Sequence, residues 1–289
     1  MTFVIPKSLK ESCGKKPERR EWLARLPLVI NQLTERWSLS LGAPFDGEEV
    51  SCSWVTLATR GDGSTVVLKV GMPHMEGLQE IEGLRFWNGD PTVRLLEADN
   101  GYNAMLIERC IPGTFLRELA ERDQDVIIAG LLRRLWRRPP KPHAFRPLSE
   151  MISYWSNETL EASERWPDAG LVSEGLRLFA ELSSDSEDGV LLATDLHAGN
   201  VLKAQREPWL VIDPKPFFGD PAYDATQHLV NCRERLQADP RGAVNRFADL
   251  LEVSAERVQM WMFARAAAEP RESWNDESLQ LAKRLSRFI

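Results

Sequence analysis

Residues 191–214 read "LLATDLHAGNVLKAQREPWLVIDP". Asp195 follows the apolar run Val190-Leu191-Leu192, Asp213 closes Trp209-Leu210-Val211-Ile212, and Asn200 stands between the two aspartates. Two carboxylates and an amide so placed can hold a metal ion and a general base together.

Working outward, residues 20–37 space Trp22, Leu26, Val29, Leu33 and Trp37 at three and four residues, which predicts a helix with Pro27 as its candidate break. Residues 51–58 and 65–70 are rich in β-formers. The "RGDGS" between them supplies turn residues, so this is a hairpin whose second strand ends in Lys69. Residues 74–89 read as a helix stopped by Gly89, and 92–110 as two strands around "DNG". Beyond "IPG" at 111–113 the patterns turn helical, with a Pro-rich loop at 139–147 inside the second lobe. The expected fold class is α+β, with a β-rich lobe over 1–110 and a mainly helical lobe over 111–289.

A chain of 289 residues at 43% hydrophobic buries a substantial core. A net charge of −7 and pI near 5.4 give no reason to expect nucleic-acid binding, which usually needs a concentrated basic face. Four scattered cysteines without a CxxC pattern point to neither a zinc knuckle nor a disulfide framework. No apolar run approaches the roughly 18 residues of a membrane span, and the N-terminal stretch lacks an apolar signal core. The expectation is a cytoplasmic protein with no nucleic-acid or membrane partner and an oligomeric state the sequence leaves open. The ten tryptophans are expected mostly in packing, with Trp155 also weighed as an acceptor contact.

Phosphoryl transfer needs a cation for the phosphates, oxygen ligands for magnesium, and a carboxylate that orients the acceptor hydroxyl and takes its proton. Asn200 and Asp213 suit magnesium, which takes hard oxygen ligands and leaves positions for phosphate oxygens and water. Asp195, five residues before Asn200, suits the base. Each has a blander reading. Asp and Asn favour turns by bonding their own backbone, and a strand-end lysine such as Lys69 is often a solvated edge residue. Glu158, Glu161, Glu164 and Asp168 read as the solvated face of a helix.

"DLHAGNVL" followed by "VIDPK" resembles the phosphotransfer loop and metal-binding motif of aminoglycoside phosphotransferases, in the streptomycin 6-phosphotransferase and hydroxyurea phosphotransferase branch. "EWLARLPLVINQLTERWSLSLGAP", "GDGSTVVLKV", "EIEGLRFWNG", "AMLIERCIPGTFL" and "PKPFFGDPAYDATQHL" follow in that branch's order, covering about residues 20–235. The resemblance implies a bilobal protein-kinase-like fold that binds ATP (or GTP) and Mg between its lobes. It implies Asp195 as catalytic base, Asn200 and Asp213 as magnesium ligands, and Lys69 as the cation for the α- and β-phosphates. Of the glutamates that could hold Lys69, the branch's register picks Glu80, while the helical wheel alone does not separate it from Glu76 and Glu82. Adenine is expected on the backbone of "ERCIPG", at the carbonyl of Arg109 and the amide of Ile111.

This chain departs from the pattern twice. Ala193-Thr194 replace the usual His-Gly before the catalytic aspartate, which puts the preorganisation of the loop in question. The nucleotide-covering loop, residues 41–54, has only Gly42 and Gly47, so grip on phosphate falls more heavily on Lys69 and metal. Lys215 is read as neutralising phosphate or pairing with a nearby acid, Asp224 as holding the loop after Asp213, and His197 as loop packing. The acceptor implied is a small molecule with a hydroxyl, streptomycin or hydroxyurea by branch. The alternatives are a small-metabolite kinase (sugar, amino alcohol or homoserine-like) and a nucleotide-binding pseudoenzyme.

Overall fold

The computed structural model describes residues 4–14, 16–47, 52–184, 188–270 and 276–288. Two compact units emerge, Met1–Thr114 with Leu202–Ile212, and Phe115–Val201 with Asp213–Ile289.

The first unit opens with α1 (Lys7–Cys13) and α2 (Pro17–Arg36). Pro17 sits in the first turn of α2, where a missing N–H has no partner to lose. Pro27 does not break the helix as expected. The buried stripe Leu26, Val29, Ile30 and Leu33 lies on both sides of it, and this packing offsets the single bond a proline removes.

Strands β1 (Leu39–Pro44), β2 (Ser53–Arg60), β3 (Thr65–Gly71), β4 (Leu95–Asp99) and β5 (Ala104–Glu108) form one antiparallel sheet in the order β1-β2-β3-β5-β4. The β2–β3 ladder runs from Ser53↔Gly71 to Thr59↔Thr65. Its turn is closed by the Ser64 N–H donating to Asp62 at 2.9 Å, with Gly63 at φ 84°. The β4–β5 connection is wider than the tight turn "DNG" predicts. The Tyr102 N–H donates to the Asp99 carboxylate at 3.1 Å, and Asn103 takes the left-handed position at φ 48°.

Period-two alternation sorts β3 between two cores. Val66, Leu68 and Val70 pack with residues of α1 and α2. Val67 faces the other way, with Met105, Ile107 and the α3 residues Ile81 and Leu84; Lys69 shares that parity. Helix α3 (Glu80–Trp87) follows one 3-10 turn, Glu76–Gln79, and ends on Asn88 (φ 48°) and Gly89 (φ 80°), both left-handed.

Residues 202–212 are stitched into this unit. Lys203 exchanges backbone bonds with Gly113 and Thr114 (3.0 and 2.8 Å), and Val211 with Pro91 and Val93 (both 3.0 Å). The Arg206 guanidinium donates to the Glu108 carboxylate at 2.9 and 3.0 Å and to the carbonyls of Gly89 (2.8 Å) and Thr92 (3.0 Å).

The second unit is helical: α4 (Glu121–Leu135), α5 (Leu148–Glu161), α6 (Ala169–Ser183), α7 (Pro221–Asn231), α8 (Arg233–Ala238), α9 (Pro240–Leu251), α10 (Ala255–Ala268) and α11 (Asp276–Leu285). Side-chain caps start four of them: Asp168 bonds Leu171 N–H, Asp220 Ala222, Asp239 Gly242 and Ser254 Arg257. Helix α10 is the axis, buried on nearly every face from Val258 to Ala268. Trp155, Phe179 and Tyr223 cluster with the helix's own Trp261, the Tyr223 and Trp261 rings meeting edge-to-face at 5.1 Å. Trp155 therefore belongs to the core. The strands Val190–Leu192 and Phe217–Gly219 pair antiparallel and carry the polar loops described next.

Gly175 sets how close α6 approaches α10, since a Cβ there would lie 2.9 Å from the Cβ atoms of both Ala267 and Ala268. Gly175→Val is expected to lose about 1–3 kcal/mol through overpacking, read as a lower urea midpoint with unchanged slope.

Candidate active site

In the first unit, Lys69 and Glu80 form a buried ion pair, with Nζ at 2.6 and 2.7 Å from the two carboxylate oxygens. Two local rules make it. Strand parity puts Lys69 on the α3 face, and Glu80 is the first residue of α3, where the helix dipole favours a carboxylate. Glu82 instead accepts from Asn100 at 2.5 Å, and Glu76 stays in the preceding turn. Arg109 and Ile111 lie just past the end of β5 at Glu108. Their backbone has left the ladder, and the Arg109 side chain donates to Thr65 Oγ1 at 3.3 Å. Of the expected nucleotide-covering loop, residues 48–51 lie outside the described residues.

In the second unit, the anchor is Asp224 on α7. Its buried carboxylate accepts the N–H groups of Ala193 (3.0 Å) and Thr194 (2.7 Å) and the indole N–H of Trp136 (2.9 Å). It thus holds the loop before Asp195, not the one after Asp213 as its sequence position suggested. Burial pushes the Asp224 carboxyl up to about 6, against the pull of those three donors.

Thr194 occupies φ 46°, a left-handed conformation in which a β-branched residue is strained by on the order of 1–3 kcal/mol. A second staple offsets this. Its hydroxyl donates to the Lys215 carbonyl at 2.6 Å, while the Lys215 N–H donates back to the Ala193 carbonyl at 2.9 Å. The loops 193–195 and 213–215 are therefore joined in both directions, and the threonine itself supplies one of the two bonds that hold them.

Asp213, also left-handed at φ 52°, turns its carboxylate to the Lys215 ammonium. Asn200 donates through Nδ2 to the Asp195 carbonyl at 2.9 Å. That partner only accepts, so the amide orientation is fixed and Oδ1 is the atom presented to a cation. A hard side-chain oxygen from Asn200 and a carboxylate from Asp213 form a donor set of the type magnesium takes. Asp195 accepts from the Gln227 amide at 2.7 Å. The turn between them is capped by His197, whose Nδ1 accepts the Gly199 N–H at 3.1 Å. Burial, with the neighbouring His228 adding to it, holds His197 down to about 4.

Two groups escaped the sequence reading. Gln227 is three residues after Asp224, so one turn of α7 sends both side chains to the same loop; that helical spacing is the signal that could have found it. Arg265 is the one cation in the run Val258–Ala268 of α10, with Glu269 four residues on. It is buried, donates to Thr226 Oγ1 at 2.8 Å and to Glu269 at 3.0 Å, and sits 5.6 Å from the Trp155 and Tyr223 rings.

Asp125, His228 and Cys232 also gather, but as an ion-pair knot. The Asp125 carboxylate bonds His228 (2.8 Å), Arg235 (2.7 Å) and Arg246 (3.0 Å). Two guanidinium groups oppose a further cation, and burial pushes the Cys232 thiol up to about 12, away from the thiolate a metal would need.

A sheet unit with a buried Lys–Glu pair and a helical unit with a stapled Asp-Asn-Asp loop system define a protein-kinase-like phosphotransferase. The choline kinase LicA from Streptococcus pneumoniae shares the fold, with TM-score 0.60 at 14% identity over 91% of this chain and 98% of that one. A structure of LicA in complex with AMP matches with TM-score 0.59 at 13% identity, over 90% of this chain and 96% of that one. The chain belongs to the aminoglycoside/hydroxyurea antibiotic resistance kinase family, which matches residues 36–277. A streptomycin 6-kinase of Streptomyces griseus is 36% identical over 90% of this chain and 88% of its own length. A hydroxyurea phosphotransferase of Kitasatospora aureofaciens is 38% identical over 73% of this chain and 63% of its own length. No described helix is long and apolar enough to cross a membrane.

Glu80→Gln breaks the buried pair and is expected to cost about 3 kcal/mol in chemical denaturation. His197 gives a pH signature. Its folded value lies below the ordinary 6.5, so its contribution to stability is complete above pH 6.5 and is lost as pH falls towards 4. His197→Asn keeps a side-chain oxygen for the Gly199 N–H without the titration. Thermal melts should show wild type losing about 2 kcal/mol more than the variant across that window, after allowing for partial exposure.

Proposed function

We propose that this protein transfers the γ-phosphoryl group of ATP to a hydroxyl of a small polar acceptor, with streptomycin and hydroxyurea as the first candidates. Asp195 orients the acceptor hydroxyl and takes its proton, while Gln227 and the Asn200 amide fix its side chain and backbone. Lys69, held by Glu80, contacts the α- and β-phosphates, and the backbone of Arg109 and Ile111 receives the adenine. Asn200 and Asp213 would hold magnesium, which when bound neutralises charge on the phosphate oxygens. Two coarser observations support nucleotide use: the fold shared with LicA, and the LicA complex with AMP.

The observation that carries this reading is the reciprocal bonding of the loops bearing Asp195 and Asp213, through Thr194 Oγ1 to the Lys215 carbonyl and Lys215 N–H to the Ala193 carbonyl. Preorganised carboxylates cost no rearrangement when charge develops. The Thr194 hydroxyl bonds the metal-side loop directly, so the missing His-Gly does not leave the loop unsupported.

The streptomycin and hydroxyurea molecules differ greatly in size, yet each carries a planar N–C–N group, guanidinium in one and urea in the other. A hydroxyl beside such a group is the acceptor chemistry this reading expects.

Replacing Asp195 by Ala removes the base and should lower transfer to streptomycin or hydroxyurea by about 10²–10⁴-fold. The stabilisation of the fold by ATP and magnesium should persist in a melting assay. Wild-type turnover in that variant rejects the assignment.

A further inference from the structure

Within the sheet unit, residues 109–113 form the linker that leaves β5, and a single neighbouring segment holds both its ends. At the start, Glu108 precedes Arg109 directly, and the Arg206 guanidinium donates to its carboxylate through Nε at 3.0 Å and Nη2 at 2.9 Å. At the end, the Gly113 N–H donates to the Lys203 carbonyl at 3.0 Å, and the Lys203 N–H donates to the Thr114 carbonyl at 2.8 Å. Between these points, the Cys110 side chain packs against the same apolar cluster as Ala204. Lys203, Ala204 and Arg206 thus brace the start, middle and end of the linker.

The Arg206 contacts are those of a clamp. An isolated surface ion pair contributes little and fixes little. Here Nη1 also donates to the Gly89 carbonyl at 2.8 Å and Nη2 to the Thr92 carbonyl at 3.0 Å, so all three guanidinium nitrogens are engaged. The planar fork of an arginine sets direction as well as distance, which the single nitrogen of a lysine does not reproduce. Glu108 is held from its other side as well: its carboxylate accepts the Arg94 N–H at 3.0 Å, and its own N–H donates to the Arg94 carbonyl at 2.9 Å. The β3–β5 ladder ends at Val66↔Glu108. The clamp therefore takes over where the ladder stops, one residue before Arg109.

We propose that Arg206 is a positioning residue that makes the linker selective for adenine. Through Glu108 it holds the Arg109 carbonyl and the Ile111 amide at the spacing of an adenine edge, the carbonyl accepting from the 6-amino group and the amide donating to ring N1. The inference rests on the reading that this linker receives adenine, and adds the side chain that sets its geometry.

The test measures dissociation constants by calorimetry, with magnesium present, for ATP and for purine riboside 5′-triphosphate. The second probe lacks the 6-amino group and keeps every phosphate. Wild type should prefer ATP about tenfold or more, because the analogue leaves the Arg109 carbonyl without its donor. Arg206→Met and Arg206→Lys should each cut that preference to about threefold or less, mainly by weakening ATP. Should Arg206→Met melt early, Glu108→Gln keeps the side-chain volume, removes the charge that Arg206 grips, and should lower the preference at least about twofold. General loosening of the fold would weaken both triphosphates alike, so an unchanged preference in the folded variants overturns the role of Arg206 and leaves the phosphotransfer reading standing. Equal binding of the two probes by wild type overturns the adenine assignment of the linker and this inference with it. Absence of binding to either probe overturns the phosphotransfer reading itself.

Discussion

The helical unit is organised around one buried carboxylate. Asp224 accepts two successive backbone N–H groups, from Ala193 and Thr194, and an indole N–H from Trp136. Hydrogen bonds to a charged group contribute about 1.5–3 kcal/mol each, enough together to hold Thr194 in a strained left-handed conformation. From that point the chain has little freedom. Asp195 emerges next, its carbonyl takes the Asn200 amide, and the Thr194 hydroxyl reaches across to the loop carrying Asp213. The geometry of three chemistry-bearing side chains follows from one helix presenting one acid.

The sheet unit solves a different problem, how to keep an ammonium in an apolar layer. Ladder register sets Lys69 opposite Met105 and Val55, between strands that are themselves buried. Alternation then leaves one face open to it, and α3 begins on that face with Glu80. A buried pair of this kind contributes little net stability compared with apolar packing, but it fixes where the charge lies. Arg206 does similar work further along, tying residues 202–212 to Glu108 and to the carbonyls of the 89–92 turn.

Much of this was legible in the sequence because it is local. The β2–β3 hairpin, the helix ending near Gly89, and the helical character after residue 113 each follow from periodicity and turn residues within short windows. The Pro27 break failed because the apolar stripe around it continues in register, and tertiary packing outweighs one lost bond. "DNG" suggested a tight turn, whereas Asp99 instead bonds Tyr102 and widens the loop. Glu80 could not be separated from its neighbours by the helical wheel, since the choice depends on where the helix starts relative to β3. Arg265 and the bond from Thr194 to Lys215 were not legible, because each is defined by a partner more than twenty residues away; Gln227 was legible only through its helical spacing from Asp224. The substitution of Ala193-Thr194 read as a loss; only the fold reveals that the threonine hydroxyl is used.

The proposed phosphotransfer requires Asp213 and Asn200 to offer hard oxygens to a divalent ion accompanying the nucleotide. Electron paramagnetic resonance of Mn²⁺, titrated into wild type and Asp213→Asn with a non-hydrolysable ATP analogue present, addresses it most directly. The account predicts at least about tenfold weaker Mn²⁺ binding in the variant. Equal affinity in the two proteins would contradict it.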